Sequence, residues 1–184
     1  MSEPPFRRSS PFKHPFQDMT SQGASNNERL IAAARSDNED LLVEIFENGD
    51  FDINYQDGLG NTALHYAASY GSTTVLEHIL SHDDCDVDPI NRLEGATPLH
   101  LAVKLEDHDL RNEVVESLLD AGADVTIKDK NGETVSDLLS PTSEADADVR
   151  ALIRKSQVSA AVSADDVASD SEGEPGSGSG SDEE

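Results

Sequence analysis

The chain copies itself, and the copying limits what it can fold into more than any other feature. Asp57-Gly58-Leu59-Gly60-Asn61-Thr62-Ala63-Leu64-His65-Tyr66-Ala67-Ala68 recurs as Arg92-Leu93-Glu94-Gly95-Ala96-Thr97-Pro98-Leu99-His100-Leu101-Ala102-Val103, an offset of 35 from Gly60 to Gly95. A weaker copy follows after a further 37 residues, as Asp129-Lys130-Asn131-Gly132-Glu133-Thr134-Val135-Ser136. Upstream by 34 residues, Leu30 to Ala34 matches Leu64 to Ala68, and Leu41, Leu42, Ile45 and Phe46 match Val75, Leu76, Ile79 and Leu80. A repeat of this length is one supersecondary unit that cannot bury its own apolar face. Its core comes from stacking against its neighbours.

Each part of the repeat has a local physical role. Thr62 and Thr97 stand where a helix N-cap is wanted, and Pro98 follows at the first helical position, where its missing N–H costs nothing. Ala67, Ala68, Ala102 and Val103 are small, so helices can approach closely. Val75, Leu76, Ile79 and Leu80 give the i, i+1, i+4, i+5 face of a second helix, and Val114, Val115, Leu118 and Leu119 repeat it. Gly49 and Gly122 fit left-handed C-caps.

These residues resemble the ankyrin repeat, a loop with Asp and Gly, then Thr-Pro-Leu-His, paired Ala, a second helix and Gly-Ala-Asp. Thr97-Pro98-Leu99-His100 matches the box in full, and Ala121-Gly122-Ala123-Asp124-Val125 matches the end of the motif. The resemblance implies an all-α ankyrin-repeat solenoid. Its expected units are a capping repeat at 27–56, full repeats at 57–90 and 91–128, and a C-terminal cap at 129–156. Pro141 and a polar run interrupt the last unit, with Val149, Leu152 and Ile153 left to form a closing helix. Two departures stand out. Ser81-His82-Asp83-Asp84-Cys85-Asp86 has no Gly at the helix end, which predicts a longer loop. Lys104 to Arg111 carries about four extra residues, which predicts longer helices or a bulged loop.

The flanks read differently. Residues 1–26 are rich in Pro and Ser, with Phe6, Phe12 and Phe16 at irregular spacing. Residues 157–184 carry eight acids and no Lys or Arg. Both compositions predict disorder, because neither buries enough apolar surface to offset ordering entropy. The three Phe are either solvated, part of a docking peptide, or on a segment that packs back on the first repeat. Ser163, Ser169, Ser171, Ser179 and Ser181 precede acids at a spacing that suits acid-directed kinases. Net charge is −25 overall, and the segment 27–156 alone holds 28 acids against 10 bases. Such a field repels nucleic acid and anionic membranes and speeds encounter with basic proteins. One cysteine excludes an intrachain disulfide, and no apolar stretch is long enough to span a membrane. The expectation is a cytoplasmic or nuclear monomer with a protein partner.

Candidates for chemistry are weak. The ankyrin resemblance implies that His65 and His100 are structural. His78 and His82 are spaced as zinc ligands, with Asp83 and Cys85 nearby. They fall off the apolar face, so a solvated helix end is the competing reading. Gly58-Leu59-Gly60 lacks the third Gly of a phosphate loop. No cofactor and no catalysis are expected.

What the resemblance implies instead is a concave binding face. Its loop-tip residues are Leu59, Asn61, Leu93, Glu94, Lys130 and Asn131, and its first-helix residues are Tyr66, Ser69, Tyr70, Leu101, Lys104 and Leu105. The implied function is a regulatory adaptor that binds a protein partner. The alternatives are an acidic escort for a basic client, such as a newly made ribosomal protein, and a metal-binding or enzymatic protein.

Overall fold

The computed structural model describes residues 24–144 and 146–165, and these residues form helices, turns and loops without a strand. Eight helices follow in order: α1 (Asn26–Ser36), α2 (Glu39–Asn48), α3 (Ala63–Tyr70), α4 (Thr73–Leu80), α5 (Pro98–Ala102), α6 (His108–Asp120), α7 (Val135–Leu138) and α8 (Ala147–Asp165). They pack in two rows. α1, α3, α5 and α7 touch in succession, and so do α2, α4, α6 and α8. The core runs between the rows and includes Leu30, Leu42, Ile45, Leu64, Leu76, Ile79, Leu99 and Leu118, all fully buried. Ala33, Ala34, Ala67, Ala68 and Ala102 are fully buried where the first-row helices meet. At these positions a methyl group sets the spacing between helices, and a longer side chain would force them apart.

The same capping device starts every first-row helix. In α1, the Ser25 amide donates to Glu28 Oε2 (2.9 Å) and the Glu28 amide to Ser25 Oγ (3.3 Å). In α3, the Thr62 amide donates to His65 Nδ1 (3.1 Å), and Thr62 Oγ1 lies 3.0 Å from the same nitrogen. Thr97 and His100 repeat this in α5, with Thr97 Oγ1 2.8 Å from His100 Nδ1. In α7 the partner is an acid, and the Thr134 amide and hydroxyl donate to Asp137 Oδ2 at 2.9 and 2.7 Å. These are capping boxes in which the third helical residue reaches back to the cap. Histidine has a second ring nitrogen, and the fold uses it: His65 Nε2 lies 3.1 Å from Ala96 O and His100 Nε2 3.4 Å from Glu133 O, each in the next unit. Accepting at Nδ1 assigns the proton to Nε2. At the same position in α7, Asp137 binds back to Thr134 and bridges to no later unit among the described residues.

The loops between units stack through their backbones. The Arg92 amide donates to Leu59 O (2.9 Å) and the Lys130 amide to Glu94 O (2.8 Å). Gly60 and Gly95 lie beneath these contacts with φ of +81° and +66°. A Cβ on Gly60 would meet the Arg92 amide nitrogen at 2.6 Å, and one on Gly95 the Lys130 amide nitrogen at 3.0 Å. At the other end of α1, Asp37 takes a left-handed C-cap and its Oδ1 accepts from the Val75 amide (2.9 Å), tying α1 to the start of α4.

The structure revises several sequence expectations. Asp57 holds its loop by accepting from the Leu59 and Asn61 amides (2.8 and 3.0 Å), and in the next unit Asn91, not Arg92, does so for Glu94 and Ala96 (2.9 and 3.2 Å). The loop 91–96 contains one more residue than 57–61, so an alignment on the glycines misplaces its anchor by one. The extra residues around 104–111 shorten α5 to 5 residues and lengthen α6 to 13, with Asp107 as N-cap. Leu105 and Leu110 from this insertion pack over Gly71. Past Pro141, the chain is held by polar contacts. Arg111 Nη1 lies 3.3 Å from Asp146 Oδ1, Asp146 Oδ2 accepts from the Ser140 amide (2.9 Å), and Arg150 donates to the carbonyls of Ser140 and Ser143. The closing helix α8 buries Val149 and Ile153. It continues to Asp165, nine residues beyond the expected boundary at 156, because Ser156 to Ala164 contains neither Gly nor Pro to stop it. The rest of both flanks, including Phe6, Phe12, Phe16, Ser169, Ser171, Ser179 and Ser181, lies outside the described residues. Ser163 falls within α8.

Two stability predictions follow from these contacts. Gly60→Ala should cost about 1–3 kcal/mol in urea unfolding, and Gly58→Ala, with no atom within 4 Å of its Cβ, should cost almost nothing. The second concerns pH. Burial holds the His65 imidazole below its ordinary pKa, outweighing the Ala96 carbonyl that acts the other way. The unfolded chain therefore binds the proton more readily. This contribution to stability is complete above about pH 6.5 and is lost as pH falls through the lower folded pKa. The urea midpoint should drop between about pH 7.5 and 5.5, and drop less in His65→Gln, which keeps a side chain able to complete the capping box.

Candidate protein-binding face

The first-row helices and the stacked loop tips form one continuous face. Its N-terminal part is built from the α1 and α3 ends. Tyr66 Oη donates to Asp57 Oδ2 (2.6 Å), fixing the tyrosine to the loop below it. Tyr66 and Tyr70 lie on one helical side, with ring centroids 6.4 Å apart. The guanidinium of Arg35, from the last turn of α1, sits over both rings, 5.3 Å from Tyr66 and 5.6 Å from Tyr70. Its Nη2 donates to Tyr70 Oη at 3.4 Å. Burial alone would raise the Asp57 carboxyl. The hydrogen bonds from Tyr66 and from the Asn61, Leu59 and Gly60 amides outweigh it and hold the group below the usual carboxylate range.

The side chains expected to bind divide into two sets. Leu59, Tyr70 and Leu93 are 49%, 53% and 61% exposed, respectively, among six large apolar side chains that open to solvent in the described residues. The second set is engaged within the fold. Asn61 Oδ1 accepts from Asn91 Nδ2 (3.1 Å), Ser69 Oγ donates to Tyr66 O (3.3 Å), and Lys104 Nζ pairs with Glu94 Oε2 (2.8 Å). Lys130 Nζ donates to the carbonyls of Arg92 and Leu93, and Asn131 is bound to Asp129. Leu101 and Leu105 are half-buried.

Sequence reading missed Arg35. The offset of 34 that aligns Leu30 with Leu64 puts Arg35 opposite Ser69, a position already assigned to the face. The signal was present, but the first unit has no Thr-Pro-Leu-His box to prompt carrying the face upstream. Ile90, 52% exposed beside the second tip, was also missed.

The residues considered for chemistry are spent on structure. His65 and His100 bridge units, as described above. His78 Nε2 lies 3.1 Å from Glu39 Oε1 in the preceding unit, and His82 stands edge-on to Phe46 and Phe51, whose rings stack at 5.0 Å. Among the described residues no three His, Cys, Asp or Glu side chains converge as a metal site. Burial pushes the Cys85 thiol up to about 11, with Asp86 adding to the effect, so it stays protonated at neutral pH. An open groove of about 660 Å³ lies away from the tips, between the end of α6 and α8, and is lined by Leu119, Val125 and Leu152 among others. Among the described residues no helix is long and apolar enough to cross a membrane.

The Tyr66–Asp57 bond is directly testable. Tyr66→Phe removes the donor, and the Asp57 carboxyl should titrate at higher pH than in the wild type when followed by NMR of its side-chain carbon. No change would mean that the backbone amides alone hold it down.

Comparison with known proteins agrees with this geometry. A family model for ankyrin repeats, in three copies, matches residues 30–129. An ankyrin repeat-containing protein of Saccharomyces cerevisiae is 38% identical over 132 residues, covering 66% of this chain and 73% of the yeast protein. The E3 ubiquitin-protein ligase hecd-1 of Caenorhabditis elegans is 29% identical over 110 residues, covering 59% of this chain but 4% of the ligase. The human BCL-6 corepressor-like protein 1 is 32% identical over 114 residues, covering 60% of this chain and 6% of that protein. The chain spans most of the yeast relative and only a small module of the two larger proteins. Repeated helix pairs, histidine bridges, stacked tips and these likenesses agree: the chain belongs to the ankyrin-repeat family, whose repeats are protein–protein interaction modules.

Proposed function

We propose that this protein is a regulatory adaptor that holds a protein partner on the face made by its loop tips and first-row helices. The observation that carries this reading is the exposure of Leu59, Tyr70 and Leu93 together on that face. Exposed apolar and aromatic groups next to rigid backbone are what interface anchors are made of, since burying them gains free energy and their positions are already fixed. The remaining face residues serve as a frame: Glu94, Lys104 and Lys130 brace the tips rather than wait for a ligand. The acids of the segment 27–156 speed encounter without setting the contact.

A second reading rests on charge. With a net charge of −18 over residues 27–156, the protein suits an escort that shields a basic client and releases it as salt rises. Phosphorylation of Ser163, Ser169, Ser171, Ser179 or Ser181 would deepen that field.

Capture from a cell extract on full-length protein beside a 1–165 truncation separates the two. At about 0.1 M and about 0.5 M salt, the adaptor reading expects a partner retained at both, with retention reduced about tenfold or more by Leu93→Ala or Tyr70→Ala. A partner released by salt and indifferent to both substitutions supports the escort instead.

A further inference from the structure

The folded zone is strongly acidic, yet the α1 edge of its exposed face carries a cation. Arg35 has no carboxylate within ion-pair distance among the described residues, although 28 acids lie between positions 27 and 156. Asp57, the acid brought closest by the cluster, is bound to Tyr66 Oη and to loop amides. Elsewhere on the face, Lys104 is neutralised by Glu94. Arg35 is also held in place. Two tyrosine rings support the guanidinium through cation–π contact, and Tyr70 Oη accepts one of its five N–H groups. With one N–H given to Tyr70 Oη, the guanidinium keeps further N–H groups able to meet a carboxylate. A long side chain usually loses rotamer freedom on binding, and here much of that loss has already been taken in folding.

We propose that Arg35, supported by Tyr66 and Tyr70, is the anchor for an Asp or Glu side chain on the partner, and that the partner segment carries an apolar residue next to that acid to cover Leu59 or Tyr70. This rests on the adaptor reading above and specifies the partner's chemistry. Tyr70, 53% exposed, touches Arg35 directly, so an apolar residue beside the acid meets it on the same surface. A basic segment would place its charge against Arg35 and belongs on the acidic surfaces elsewhere. An acidic segment is attracted locally and repelled by the molecule as a whole. Added salt screens the long-range repulsion at least as well as the short contact, so binding should not weaken steeply with ionic strength.

The test is selection from a random displayed-peptide library on the full-length protein, comparing wild type with Arg35→Gln and Arg35→Lys. Arg35 is exposed, and circular dichroism and thermal unfolding of each variant should match the wild type. The expected wild-type pool is enriched in Asp or Glu beside an aliphatic or aromatic residue. That enrichment should disappear with Arg35→Gln and largely with Arg35→Lys, which cannot offer the planar fork. In a selected peptide, replacing the acid by its amide should weaken binding to wild type about tenfold and leave binding to Arg35→Gln unchanged, the signature of a direct pair. A pool rich in Lys and Arg, an acid preference that survives Arg35→Gln, or a library yielding no peptide overturns the proposal. The two levels separate cleanly. If Leu93→Ala and Tyr70→Ala still abolish protein capture while no acid preference exists, the anchor falls and the adaptor reading stands. If neither substitution affects capture or peptide selection, the face itself is not the site.

Discussion

The fold depends on carrying hydrogen bonds across the unit boundary without strands. Stacked helix pairs alone would meet through methyl groups and aliphatic side chains, which are weakly directional. Register comes from His65 and His100. Each ring accepts from its own N-cap through Nδ1 and reaches a carbonyl of the next loop through Nε2. One side chain thus starts a helix and positions the following tip. The backbone bonds from Arg92 to Leu59 and from Lys130 to Glu94 complete the row of tips. Removing the ring would orphan the buried Thr62 amide, at a cost on the order of 1–3 kcal/mol, and would leave the Ala96 carbonyl with the Asn91 amide of its own loop but no bond across the unit boundary.

This arrangement makes the face rigid. The tips are fixed from within by Asp57, Asn91 and Asp129, whose carboxylate or amide oxygens accept from their own loop amides. They are fixed from below by the histidines and laterally by Lys130. Leu59 and Leu93 therefore project from backbone that is already ordered, and a partner need not pay to order it. Ordering and exposure come from the same loops.

Much of this was readable from the chain. The Thr-Pro-Leu-His box, the Ala pairs and the Val-Leu faces each encode one local preference, and all agree on one unit, which is why the repeat and the helix pairs could be placed. What escaped reading depended on geometry with no pattern of its own. The extra residue in 91–96 shifted the anchor from Arg92 to Asn91, because glycines align by their own φ requirement and not by the anchor's. The length of α6 depended on Asp107 serving as N-cap inside the insertion. Arg35 was hidden because its role comes from Tyr66 and Tyr70 in the next unit, and a single unit's sequence does not reveal what its neighbour lays across it. The extent of α8 depended on the lack of a stop after Ser156, a weaker signal than a cap.

Charge and shape have separate tasks here. The acids dominate the long-range field, while the face exposes Leu59, Tyr70 and Leu93 with a cation, Arg35, at its α1 edge. The most direct measurement of this division is amide hydrogen exchange of the full-length protein, alone and saturated with a captured partner. Slowed exchange at the tips 57–61 and 91–96 and along α3 would support partner binding at this face. Slowed exchange confined to 83–88, or to the groove between the end of α6 and α8, with the tips unchanged, would contradict it.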